Sequence, residues 1–81
     1  MVSKLIYTFE DKDVSGGKVW DIRYFESVFD ATINISDVVS AGGTFEDSTD
    51  ILYFYPLHKL LKVELHTGVE KPENEKFYSD V

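Results

Sequence analysis

The sequence predicts a small α+β domain, built from a mostly antiparallel sheet of four or five strands with one or two short helices. The apolar and aromatic fractions, 43% and 15%, are those of a folded globular chain rather than a disordered one. Apolar residues alternate with polar ones in several short runs, which is typical of half-buried strands. Turn-forming residues separate these runs, and a length of 81 residues suits one domain.

The first part of the chain is predicted to form a β-hairpin. Residues 4–9 alternate at strand spacing, and a turn rich in Asp, Ser and Gly follows at 11–17. Residues 18–24 alternate Trp, Ile and Tyr with charged residues, which predicts the returning strand. Residues 26–31 fit a strand or a helix, because apolar residues in this region also have helical spacing.

The middle of the chain is predicted to hold a short strand, a helical turn and a loop. Residues 32–35 are rich in β-branched side chains, which favours a strand. Ser36 is a suitable N-cap for a helical turn that Gly42 then ends. Residues 41–50 are predicted to form a loop.

The last part of the chain contains its most apolar run. Residues 51–55 predict a central strand, and Pro56 ends it because proline cannot donate a hydrogen bond to a strand ladder. Residues 61–65 alternate apolar and charged side chains, which predicts a final strand. We therefore expect one compact domain over residues 1–66 and a charged C-terminal tail over residues 67–81.

The charge of the chain limits its partners. The net charge is −7, and residues 10–50 carry all of this imbalance. Such acidity argues against nucleic acid as a partner, since non-specific binding depends on Lys and Arg neutralising phosphates. The absence of cysteine excludes disulfides and thiolate metal sites. Without a secretory signal or an apolar run long enough to span a bilayer, we expect a cytoplasmic protein with no membrane partner.

The turn at residues 11–17 has the spacing of the first half of a calcium-binding loop. Asp11, Asp13 and Ser15 occupy its first, third and fifth positions, and Gly16 occupies the sixth, where glycine permits a sharp turn. Alternate oxygen-bearing side chains in such a loop can point at one ion, and Gly17 adds a backbone carbonyl. A bound cation would also relieve the repulsion among the acidic residues.

The second half of that loop departs from the calcium pattern. The twelfth position, where an EF-hand has a bidentate Glu, is Ile22, so we expect weak binding with a Kd of about 10⁻⁴–10⁻³ M. An ordinary Asp/Ser/Gly turn explains the same residues. A second acidic cluster follows at 46–50. The predicted metal ligands are Asp11, Asp13, Ser15, Gly17, Asp21, Glu46, Asp47 and Asp50.

The residues typical of enzyme active sites do not form a recognisable pattern. His58 and His66 are the only histidines, and their spacing does not match a zinc site, which needs about four ligands. No serine has the Gly-x-Ser-x-Gly context of a nucleophile elbow, and no phosphate-binding glycine motif is present. We therefore predict that the protein is not an enzyme.

Three segments give the chain a resemblance to a known family. They are Phe9-Glu10-Asp11-Lys12, Ile33-Asn34-Ile35-Ser36-Asp37-Val38 and Tyr55-Pro56-Leu57-His58-Lys59-Leu60. Over residues 5–66 the chain resembles the small archaeal domain of unknown function that also occurs in RNA-processing proteins, and small acidic archaeal hypothetical proteins generally. Lys12 and Lys59 stand where arginine is expected, and lysine cannot make a bidentate contact with phosphate.

These observations predict a small, acidic, non-catalytic calcium-binding protein with Ca²⁺ as its ligand. The alternative is a module that recognises RNA or a phosphate end, with His58 and Lys59 near the ligand. A plain protein-interaction domain, with a protein partner that the sequence does not identify, is the third hypothesis.

Overall fold

The computed structural model describes residues 2–46 and 51–78, and the side chains of Phe45 and Glu46 fall outside that description. Within these ranges the elements are β1 (Val2–Glu10), β2 (Lys18–Phe25), α1 (Val28–Ala41), β3 (Gly43–Glu46), β4 (Leu52–Tyr55), a 3₁₀ turn (Leu57–Lys59) and β5 (Leu60–Val69). The predicted α+β class is confirmed.

The main sheet has three antiparallel strands in the order β2-β1-β5, rather than the four or five predicted for one sheet. The strands β3 and β4 form a separate antiparallel pair. The prediction that residues 51–55 form the central strand is wrong, because β1 occupies that position. In β4 only Tyr55 is buried, with its ring 5.0 Å from that of Phe9, whereas Leu52 and Phe54 are exposed.

The helix α1 begins and ends at residues suited to these positions. The side chain of Ser27 accepts a hydrogen bond from the backbone N–H of Asp30 at 3.1 Å, which caps the first turn. At the other end the N–H of Gly42 donates to the carbonyl of Val38 at 2.8 Å. Gly42 has φ of +84°, a conformation that glycine adopts at little cost, so its predicted place at a helix end is confirmed. No helix within the described ranges is long and apolar enough to cross a membrane.

Three local predictions in this region are wrong. Residues 32–35 are helical rather than extended, and Ser36 lies inside α1 instead of capping it. The β-branched propensity is overridden because Ala31 and Val38 of the same helix are buried against the sheet. Part of the predicted loop 41–50 is the strand β3.

The hydrophobic core lies between α1 and one face of the main sheet. Alternate residues of β1 form its centre and are fully buried: Leu5, Tyr7 and Phe9. The other buried members are Phe25, Ala31, Val38 and Tyr55.

The C-terminal segment returns to the body of the domain. The strand β5 extends to Val69, so the predicted boundary at residue 66 falls inside a strand. Phe77 then forms a parallel bridge with Tyr24 of β2, and the N–H of Tyr78 donates to the carbonyl of Tyr24 at 2.8 Å. The ring of Tyr78 lies 5.6 Å from that of Phe25.

Candidate functional site

The predicted calcium loop is a tight hairpin turn between β1 and β2. The N–H of Asp11 donates to the carbonyl of Gly17 at 3.0 Å, and the N–H of Gly17 donates to the carbonyl of Val14 at 3.0 Å. Gly16 and Gly17 have φ of +84° and +71°, which explains why two glycines stand here. The carbonyl of Gly17, predicted as a metal ligand, therefore has a hydrogen-bond donor across the turn.

Both carboxylate oxygens of Asp11 accept hydrogen bonds from the protein. Oδ1 accepts from the N–H of Asp13 at 3.0 Å, which is the local bond of an Asx turn. Oδ2 accepts from the hydroxyl of Tyr55 at 2.8 Å. Burial and this hydrogen bond to Asp11 raise the pKa of Tyr55 to about 12. Asp11 thus joins the turn to β4.

The remaining predicted ligands are dispersed. Asp13 and Ser15 are exposed at the turn. Asp21 lies on β2 and is buried on the core face of the sheet, where it pairs with Arg23 at 2.6 Å. Among the side chains described, those of residues 2–44 and 51–78, no three His, Cys, Asp or Glu are grouped to hold a metal ion. The backbone of Glu46 belongs to β3, while Asp47 and Asp50 lie outside the described residues. Calcium binding stays a prediction.

The turn lies beside the connection between β4 and β5. The ammonium of Lys59 is 3.3 Å from a carboxylate oxygen of Glu10, and Tyr55 contacts Asp11. The first and third segments of the family resemblance therefore meet in one shallow cleft. Because Lys59 already has an acidic partner, a phosphate bound here would compete with Glu10 for it.

A buried polar cluster lies under α1. The guanidinium of Arg23 pairs with Asp21 and donates to Oδ1 of Asn34 and to the carbonyl of Thr44, each at 2.9 Å. The hydroxyl of Tyr7 also donates to Oδ1 of Asn34, at 2.8 Å, and burial raises the pKa of Tyr7. These contacts tie β1, β2, α1 and β3 together. Each of these hydrogen bonds ends on a protein acceptor, which indicates a structural role.

Strand β2 has the reverse of the usual arrangement of a half-buried strand, in which apolar residues face the core and charged residues face solvent. Charged Asp21 and Arg23 face the core, and the apolar residues between and beside them face outward. Trp20 is 59% exposed and Ile22 is 47% exposed. Charged residues are seldom buried unless paired, and the contact between Asp21 and Arg23 satisfies that condition.

We call the sheet face opposite α1 the open face. The strand register sets Thr8 of β1 beside Trp20 and sets Ile6 beside Ile22. The charged residues on this face are Lys4 and Glu10 of β1, Lys18 of β2, and Lys62 and Glu64 of β5. An aromatic ring and an aliphatic side chain are thus exposed among mainly basic neighbours.

Sequence reasoning treated Trp20 only as a strand residue and placed no site on it. The available signal was the spacing of Asp21 and Arg23, opposite charges two residues apart on a strand, where they share one face. Such a pair can be buried together, and the alternation then exposes Trp20 and Ile22.

Comparisons with protein-family models, with curated proteins and with solved structures find no match for this chain. The resemblance to the archaeal domain therefore stays a prediction, and function is argued from the geometry alone.

Proposed function

We propose that this chain is a small protein-interaction domain that binds its partner through the open face. The observation that carries the proposal is the 59% exposure of Trp20 on a regular strand that buries the neighbouring charged pair of Asp21 and Arg23. Burying an ion pair contributes little net stability, so the orientation of β2 is not explained by stability alone. Exposed tryptophan is characteristic of the centres of protein interfaces.

The charges around Trp20 indicate the kind of partner. The open face carries three lysines and two glutamates on a chain whose net charge is −7. The formal charge of these five residues is +1, so this face lacks the acidity of the chain as a whole. A protein segment with an apolar side chain flanked by carboxylates complements both the apolar centre, Trp20 with Ile22, and the basic surround.

Single-stranded RNA is the competing ligand, since a base can stack on tryptophan. Sheet modules that bind RNA stack two or three bases on exposed aromatic rings. Among the described residues of the open face, Trp20 is the most exposed aromatic, since Tyr24 is buried and Phe77, which bridges to Tyr24, is 38% exposed. The net charge of −7 also opposes the approach of a polyanion. The acidity of the chain therefore favours a protein partner.

The test uses a short synthetic peptide of alternating Glu and Leu, a matched peptide of Lys and Leu, and an oligouridine of similar length. Trp20 is the only tryptophan, so its fluorescence reports contact at the open face directly. We expect the acidic peptide to shift the Trp20 emission to shorter wavelength in a saturable manner, because its apolar residues would exclude water from the ring. The basic peptide and the oligouridine should leave the emission unchanged.

A matched pair of variants locates the binding. Trp20→Ala should weaken binding of the labelled acidic peptide by about tenfold or more, measured by fluorescence anisotropy. Phe29→Ala removes another aromatic ring, 72% exposed on α1, and should leave the affinity unchanged. Equal losses in both variants, or no binding of the acidic peptide, would contradict the proposal. Oligouridine binding that is lost in Trp20→Ala would favour the RNA hypothesis instead.

Calcium binding at the turn is a second candidate function. It is supported by the exposed side chains of Asp13 and Ser15 beside Asp11, at the first, third and fifth positions of the calcium spacing. We also propose a cytoplasmic location and no catalytic activity, as the sequence predicts. The turn adjoins the open face at Glu10 and Lys18, but the predicted calcium ligands of the turn are not residues of that face, so both functions can belong to one chain.

A further inference from the structure

The strand β5 is an edge of the main sheet. The sheet order is β2-β1-β5, and no strand in the described ranges pairs with the outer side of β5. Alternate residues of this ten-residue strand therefore present backbone N–H and C=O groups that are available to another strand. Two apolar side chains along this strand are also exposed, Leu61 at 50% and Leu65 at 37%. Pairing with another strand would cover part of their surface and so also favours association.

The sequence of β5 is complementary to itself. Residues 61–65 read Leu-Lys-Val-Glu-Leu, which has the same pattern in both directions except that the sign of the charge is reversed. An antiparallel strand reads its partner backwards. A second copy of this strand therefore offers a negative charge to Lys62, a positive charge to Glu64 and leucine to leucine.

We propose that two copies of this chain associate through β5, antiparallel, about a two-fold axis at Val63. This register places Lys62 opposite Glu64 of the second copy and Leu61 opposite Leu65 of the second copy. Lys62 and Glu64 fall on the same face of the joined sheet, because both are one residue from the axis. Opposite charges and apolar side chains directly across antiparallel strands are both stabilising.

The charges also favour an axis at Val63 over an axis at Glu64 or at Leu65. An axis at Glu64 would set that carboxylate against its own copy, and like charges directly opposite are destabilising. An axis at Leu65 would set Lys62 opposite Gly68, so that the lysine has no acidic partner across the interface. The irregularity of β5 opposite Thr8 and Phe9 falls at Leu61, and the two-fold axis repeats it at both ends of the pairing, which limits the regular part to the residues around Val63.

Association through β5 leaves the open face available. The two main sheets would become one continuous sheet with both open faces on the same side. The two Trp20 rings would lie on the outer strands, about 24 Å apart for five strand spacings. The inference is independent of the proposed protein binding, but it adds the prediction that a dimer displays two binding surfaces.

The test is sedimentation equilibrium of the full chain over a range of concentrations. We expect a monomer–dimer equilibrium for the natural sequence. Lys62→Glu should raise the dimer Kd by about tenfold, because two attractive pairs become two repulsive ones. The double variant Lys62→Glu/Glu64→Lys exchanges the charges and should restore the Kd to within about threefold. Lys12→Glu makes the same charge change at an exposed turn residue and should leave the Kd unchanged.

Three outcomes would overturn the inference. They are a natural chain that stays monomeric at every concentration, equal effects of Lys62→Glu and Lys12→Glu, and a charge-exchanged variant that is folded by circular dichroism but does not dimerise. The peptide experiment with Trp20→Ala tests the open face and not the edge strand β5. A negative result there would therefore leave the dimer proposal standing.

Discussion

At the residue scale, Asp11 is the side chain that holds the hairpin turn to the rest of the domain. Its two carboxylate oxygens accept from the N–H of Asp13 and the hydroxyl of Tyr55. Asp11→Ala should therefore lower the free energy of unfolding by about 1–3 kcal/mol, since each lost hydrogen bond contributes about 0.5–1.5 kcal/mol. Asp13→Ala is the matched control, and its exposed carboxylate should change stability by less than about 0.5 kcal/mol. Urea unfolding in the presence of a chelator measures both.

Asp13→Ala also tests calcium binding when the urea unfolding is repeated with Ca²⁺ in place of the chelator. A ligand that binds only the folded chain stabilises it, by about 2.7 kcal/mol at a hundredfold excess over Kd. If the turn is a calcium site, Ca²⁺ should stabilise the natural chain more than NaCl of equal ionic strength does, and Asp13→Ala should abolish that difference. Equal effects of the two salts would mean that calcium only screens the negative charge.

At the scale of elements, the junction between α1 and β3 depends on Gly42. A Cβ atom there would lie 2.7 Å from the carbonyl oxygen of Tyr55, and φ is +84°. Gly16 has the same φ, but nothing lies within 4 Å of its Cβ position. Gly16→Ala should cost about 1 kcal/mol, the strain of a positive φ, whereas Gly42→Ala should cost clearly more because the backbone must also move. Similar unfolding free energies for the two variants would show that the backbone at Tyr55 moves away from the added Cβ at little cost.

Local patterns predicted the elements whose partners are near in sequence. The strands β1, β2 and β5 alternate with period two, and the turn residues at Gly16 and Gly17 match their backbone conformation. The helix was mistaken in part for a strand, because residues 32–35 favour strands and only packing on the sheet decides otherwise. Likewise the inward position of Arg23 depends on acceptors from distant segments, Asn34 and the carbonyl of Thr44, which no local pattern reveals.

At the scale of the whole molecule, two tyrosines link the stability of the domain to alkaline pH. Burial raises the pKa of Tyr7, and burial together with the contact to Asp11 raises that of Tyr55 to about 12, from an ordinary value of 10. Below pH 10 both are neutral in folded and unfolded chains, and their contribution to stability is fully present. Above pH 10 the unfolded chain loses protons that the folded chain keeps, so the free energy of unfolding falls.

Urea unfolding at a series of pH values, at constant ionic strength, should therefore show stability that declines from pH 10 towards pH 12. Tyr55→Phe removes one of the two titrating groups and should make that decline shallower. At neutral pH the same variant should lose about 0.5–1.5 kcal/mol, since the hydrogen bond to Asp11 is gone. General repulsion among the many carboxylates acts equally on both proteins, so the difference between their slopes isolates Tyr55. Parallel slopes would show that this hydroxyl has no raised pKa and that the decline comes from the net charge alone.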